Sequence, residues 1–202
     1  HRVDLADSML QLLAMGVDDL ADFPWLDAPE PEALDRATVL LSALGAVDDG
    51  GLTDLGRHMA RLPTHPRLAR FLIEAADRRC LDRACMWAAL AGERDILLRP
   101  VQSRYTHAPD GEFAADLVVR EHALRLARDL DYDPAACGLQ GLNGLACRQT
   151  DQTARLYRDT ARHIKLNGRG LGATEDLLKC LLTAFPDRIA IRRSRDNLLC
   201  AM

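Results

Sequence analysis

Asp27–Leu72 reads DAPEPEALDRATVLLSALGAVDDGGLTDLGRHMARLPTHPRLARFL, and this stretch decides how the chain is read. Ala33, Ala37, Leu40, Leu41 and Leu44 recur at helical spacing, so a first helix has one apolar face. Pro29 and Pro31 fit before that helix or in its first turn, because proline lacks the amide that later turns need. Gly45 stands where a left-handed residue ends a helix. Val47 and Leu52 flank Asp48-Asp49-Gly50-Gly51, a pattern that suits a tight two-stranded turn. Thr53 is placed to cap a second helix, with Leu55, Met59 and Leu62 on one face.

Helix, small hairpin, helix is the outline of a winged-helix module. The rest of the 202-residue chain favours helices packed on helices, since Ala and Leu dominate and aromatics are only 4%. The expected fold class is therefore mainly α, with a winged helix and its small β-hairpin followed by a helical bundle. No apolar run approaches the roughly 20 residues that span a bilayer. The chain starts at His1 with no charged-then-apolar leader, which reads as a piece of something longer. Cys80, Cys85, Cys137, Cys147, Cys180 and Cys200 form no C-x-x-C pair, so zinc binding is not expected and reduced, buried thiols in a cytoplasmic protein are.

Charge is unevenly spread. Residues 1–50 hold nine Asp, two Glu and two Arg, a balance of −9, whereas the whole chain is −4. The remainder is mildly basic, so only that part suits an anionic polymer.

Flanking segments follow the same helical logic. Val3–Met15 is a short amphipathic helix ended by Gly16, and Phe23 and Trp25 in the connector after it are expected to plug a groove. His65 or Thr64 caps a helix with Pro66 in its first turn, whose Arg67 and Arg70 lie on a basic outer margin. Leu81–Ala91 and Glu112–Leu130 are further helices, and Asp131–Gly144, with Pro134 and three glycines, reads as a loop. Leu145–Leu166 is the longest helix, with Leu145, Leu156 and Ile164 as its larger apolar residues. Arg148, Arg155, Arg158, Arg162 and Lys165 recur on the opposite side. Thr174 caps a last helix that Pro186 stops, and Ile189 and Ile191 begin a strand with no obvious partner in the chain except Asn197–Ala201.

Catalytic motifs are missing from the sequence. There is no G-x-x-x-x-G-K-[ST] loop, no G-x-S-x-G and no H-E-x-x-H. The glycines of Asn167–Gly172 lie between helices and read as a connector. Ser103, Tyr105 and His107 share a loop without a positioned acid. The arginine row of Leu145–Leu166 is the one constellation that implies a partner. Guanidiniums along one helical face can meet phosphates or stack on bases of a single strand, or can simply be solvated.

The segments QLLAMGVDDLADFPWLDAPEPEAL, LLSALGAVDD, LTDLGRHMARLPTHPRLARFLIEA and ERDILLRP carry a likeness. Through them residues 1–100 closely resemble the region that follows the second RecA-like domain in DEAH-box helicases. LLTAFPDRIAIRR is similar to the bacterial HrpB-type branch of that family. The resemblance implies residues 1–28 as the exit from the second motor domain and 29–66 as the winged helix. It implies 67–185 as the helical, ratchet-like HA2 domain and 186–202 as the start of a β segment. It further implies motor domains in the same polypeptide that bind and hydrolyse ATP with Mg2+, and no cofactor in this part. Single-stranded nucleic acid, RNA more than DNA, would pass the helical domain. Arg148, Arg155, Arg158, Arg162 and Lys165 would touch it, with Arg192 and Arg193 as further contacts. The alternatives are an independent winged-helix regulator of duplex DNA and a protein-interaction module docking a partner on Phe23–Trp25.

Overall fold

In the computed structural model, residues 4–17, 19–20, 23–98, 116–191 and 200–201 are described. The chain is mainly helical and divides into two units, His1–Asp77 with Glu175–Met202, and Arg78–Thr174.

The first unit opens with α1 (Ala6–Ala14), which buries Met9 and Leu10 and is ended by Gly16 at φ +90°. In the connector that follows, Phe23 and Trp25 meet edge to face at 4.9 Å and are half-buried, and the Trp25 indole donates to the Leu20 carbonyl. α2 (Pro31–Ala43) starts on its proline. It closes with the Gly45 amide on the Ser42 carbonyl and the Ala46 amide on the Leu41 carbonyl, both at 2.8 Å. That paired closure needs a left-handed residue, which Gly45 supplies at φ +73°. The chain then turns through β1 (Val47–Asp48) and β2 (Gly51–Leu52), antiparallel with Val47 opposite Leu52. The Thr53 hydroxyl accepts from the Gly56 amide at 2.9 Å and donates to the Gly45 carbonyl at 2.7 Å. It thus caps α3 (Asp54–Met59) and ties it to the end of α2.

α4 (Pro66–Asp77) is the most buried helix of this unit. His65 precedes its proline, and the Arg67 amide donates to the His65 Nδ1 at 3.2 Å. Nδ1 then accepts, so Nε2 carries the hydrogen that reaches Asp4 at 3.0 Å. Phe71 and Leu72 are fully buried, each contributing about 2 kcal/mol by removal from water. Arg67 departs from the outer margin expected of it: it is buried, because Asp187 takes its guanidinium through two bonds of 2.6 and 2.7 Å.

The second unit is built on α5 (Leu81–Gly92), whose Trp87, Cys85 and Ala88 are fully buried. α6 (Asp116–Asp129) follows, then α7 (Pro134–Leu139) and α8 (Gly144–His163). α7 falls where the glycines predict a loop. Asp133 caps it by accepting from the Ala136 amide at 2.8 Å, and Pro134 sits in its first turn, where proline favours a helix. α8 begins where expected but faces the other way. Ala146, Cys147, Thr150, Ala154, Tyr157 and Ala161 turn inward, while Leu145 and Leu156 are 67% and 52% exposed. Small residues let α8 approach α5 closely, and the leucines are too bulky for that seam.

The chain returns to the first unit through α9 (Thr174–Ala184) and a single 3-10 turn at Pro186–Arg188. A strand does begin where Ile189 and Ile191 alternate: β3 (Ala190–Ile191) pairs antiparallel with β4 (Cys200–Ala201).

Candidate nucleic-acid interface

Two loops fix the start of α8. Asn143 caps it by accepting from the Ala146 amide at 3.1 Å. The segment before it pairs with Ile96–Leu98: the Asn143 amide reaches the Ile96 carbonyl at 2.9 Å and the Leu98 amide reaches Gly141 at 2.9 Å. At the end of α6 the backbone turns through two left-handed residues, Asp131 at φ +55° and Tyr132 at φ +57°. A side chain on Gly144 would lie 2.6 Å from the Tyr132 carbonyl, so only glycine lets α8 start against this corner. Non-glycine residues in that region carry strain that surrounding contacts must outweigh.

The corner presents Tyr132 to α8. The Arg148 guanidinium lies 5.6 Å from the centre of the Tyr132 ring and 3.4 Å from the Asp131 carbonyl. One turn further on, Asp151 is buried, and it takes Arg128 of α6 through Nε at 2.7 Å and Arg155 at 2.8 Å. Burial works to raise the Asp151 pKa, but the Arg128 hydrogen bonds and nearby positive charge outweigh it and hold the carboxyl below its usual range. The Tyr132 phenol is pushed up by burial and by the charge of Asp151. Two guanidiniums, those of Arg128 and Arg155, therefore share the Asp151 carboxylate.

Arg148, Arg155 and Arg162 repeat every seventh residue, which places them in one row at steps of about 10 Å. All three are exposed. Arg155 keeps 66% of its side chain in solvent, and Arg162 pairs with Asp159 at 2.8 Å. The other expected contacts are placed differently. Arg158 turns toward α5 and lies half-buried, 3.3 Å from Asp82. Lys165 is past the helix end, a left-handed residue at φ +59° that closes α8 where glycine is usual. Arg192 and Arg193 lie outside the described residues. Arg128 and Tyr132 join the cluster without any signal in the sequence. Their spacing to the row is set by the left-handed corner, which Asp131 and Tyr132 do not advertise.

Behind this face a second buried carboxylate organises the unit. Glu121 accepts from Arg83 Nε at 2.8 Å through each oxygen, from Trp87 at 2.6 Å and from Arg125 at 2.5 Å. Arg83 also reaches the Thr174 hydroxyl at 2.9 Å.

The glycine-rich loop does not fit a nucleoside triphosphate. The Gly170 amide already donates to the Asp82 carboxylate at 3.1 Å, and a side chain on Gly170 would stand 2.3 Å from the Arg79 carbonyl. The glycines serve close packing against the start of α5. Among the described residues no group of His, Cys, Asp and Glu is placed to hold a metal ion, and no helix is long and apolar enough to cross a membrane. Ser103, Tyr105 and His107 lie outside the described residues.

The winged-helix model of the helicase-associated domain (HA2) matches residues 37–64, which run from α2 through the hairpin and α3. The ratchet-like model of the same helicase-associated domain matches residues 65–171, from the cap of α4 to the loop after α8. The second match alone spans more than half of the chain, and the chain therefore belongs to the helicase-associated HA2 family, with a winged-helix and a ratchet-like part.

Proposed function

We propose that this chain is the accessory region of an ATP-dependent helicase of the DEAH-box class, HrpB-type, and that α8 grips single-stranded nucleic acid. The observation that carries the reading is the exposed row Arg148, Arg155 and Arg162 within an HA2 ratchet-like domain. Guanidiniums at regular steps along one face neutralise successive phosphates without reading sequence. Tyr132 beside Arg148 adds a ring on which a base can stack. Arg128 and Asp151 orient Arg155, so the row is partly preorganised before a strand arrives. Arg158, tied to Asp82, belongs to the support of the helix, and Lys165, Arg192 and Arg193 remain outlying contacts. The strand is RNA more than DNA, an assignment that rests on the family resemblance.

Motor domains in the same polypeptide, following on to residues 1–28, supply ATP and Mg2+ binding and hydrolysis. This chain supplies grip and direction. The winged helix packs rather than reads a groove. α3 has six residues, its Arg57 is held by Asp54 at 2.8 Å and by the Leu52 carbonyl at 2.9 Å, and its His58 by the Asp54 carbonyl. Those contacts leave little for duplex recognition, which uses several free side chains on one helix.

Charge reversal at Arg155 and Arg162 together tests the reading. Single-strand affinity should fall and its dependence on salt should flatten. Unchanged affinity at both low and moderate salt would remove the assignment.

A further inference from the structure

The connector Asn167–Gly172 leaves the end of α8 and runs along the start of α5 in the same unit. The Leu81 amide donates to the Gly168 carbonyl at 3.3 Å, and the Asp82 amide to the Gly170 carbonyl at 3.2 Å. Gly170, lacking a side chain, lies against the Arg79 carbonyl, and this close approach brings Arg169 beside Arg79. Arg79 is itself left-handed, at φ +56°, in the turn before α5. Glycine adopts that backbone freely, whereas arginine carries strain there. Lys165, at φ +59°, is a second cation in a position where glycine is at ease.

Arg79, Lys165 and Arg169 are all exposed. Among the described residues none of their three side chains makes an ion pair or a hydrogen bond. The carboxylate of this corner, Asp82, is already held by Arg158 at 3.3 Å and by the Gly170 amide at 3.1 Å. The three cations also continue the row on α8. Arg148 to Arg162 covers about 21 Å of helix. Lys165 follows three residues later, and Arg169 lies at most about 14 Å beyond it.

We propose that the strand held by α8 runs on past Lys165 to Arg169 and Arg79, which form a second phosphate-binding station at the start of α5. The extension rests on the reading of α8 as a strand grip. Guanidiniums on adjoining backbone segments suit phosphate oxygens, which accept strong charge-assisted bonds. A polyanion accounts for the row and the station together, because its phosphates recur at every nucleotide. A single carboxylate of a protein partner would account for one of them. The glycines of the connector thus serve the grip indirectly, by letting Arg169 come close to Arg79.

The test measures binding of the 202-residue chain to labelled single-stranded RNA of about five and about twelve nucleotides over a range of salt. The short strand covers the row alone, and the long strand reaches the station. Arg79→Gln with Arg169→Gln should weaken the long strand about tenfold and lower its salt slope by about 1.4, the value for two lost phosphate contacts. It should leave the short strand unchanged, whereas Arg148→Gln with Arg155→Gln should weaken both. Arg79→Gly separates binding from folding: it relieves the left-handed strain, so it should melt no lower than wild type and still weaken the long strand. A long strand bound equally by wild type and the Arg79–Arg169 variants, while the α8 variant loses both strands, overturns the station and leaves the α8 grip standing. Equal weakening of both lengths by Arg79→Gly also overturns it. No binding of either strand by wild type overturns the station together with the grip.

Discussion

Gly56 lies directly against the Ala46 carbonyl: a methyl group on residue 56 would stand 2.2 Å from that oxygen. This contact sets α3 against the end of α2, with Thr53 bonded to both. Backbone on both sides leaves nothing flexible to give way. Gly56→Ala should therefore destabilise the first unit by about 3 kcal/mol, as overpacking of a tight site does. Urea unfolding followed by circular dichroism checks it; a midpoint equal to wild type would mean the approach is looser than described.

Glu121 is buried with Arg83, Arg125 and Trp87 all donating to it. Removing it leaves the Arg83 guanidinium with no carboxylate, only the Thr174 hydroxyl, and the buried Trp87 indole without its acceptor. Glu121→Ala should cost about 3–5 kcal/mol, the usual penalty for breaking a buried pair from one side. Glu121→Gln keeps acceptor and shape and should cost less. Equal losses in the two variants, read from denaturant midpoints, would show that the charge contributes nothing.

Asp151 makes stability depend on pH. Its carboxyl is held below the ordinary value by Arg128 and its neighbours, despite burial. The folded state thus binds that proton less readily than the unfolded state. The stabilisation is complete above the unfolded value near 4 and is lost as pH falls through the lower folded value. Asp151→Asn should be less stable than wild type at pH 7, and the gap should close in strong acid. A gap that stays constant down to the lowest pH at which wild type folds would contradict the ion-pair account.

Burial pushes the Cys85 and Cys147 thiols up to about 12, so at neutral or mildly alkaline pH almost none of either is thiolate. Neither should react with a thiol reagent at pH 8 until denaturant is added. Rapid labelling of either in the native protein would show that the core around α5 and α8 opens.

Local chemistry made the winged helix legible. Pro31, Gly45, the Asp-Asp-Gly-Gly turn and Thr53 each act within a few residues, and each behaves as its residue type demands. The face of α8 was not legible, because hydropathy weights Leu145 and Leu156 above the small residues that fit the seam with α5. α7 was hidden for a related reason: its glycines suggest a loop, while the Asp133 cap and Pro134 are enough to start six helical residues. Among the candidate contacts, the periodicity of Arg148, Arg155 and Arg162 could be counted along the chain. The burial of Arg67 by Asp187, 120 positions away, and the tie between Arg158 and Asp82 could not, since both depend on which helices meet.

The most direct test of the central claim places a photoreactive amino acid at Gln152, on the exposed face of α8 beside the arginine row. Irradiation with a labelled single-stranded RNA should give a covalent adduct at residue 152. That adduct should fade as salt rises and be lost when Arg148, Arg155 and Arg162 are all changed to Gln. An adduct of equal yield in the triple variant, or none at residue 152 while the strand is bound, would contradict the claim that this helix holds the strand.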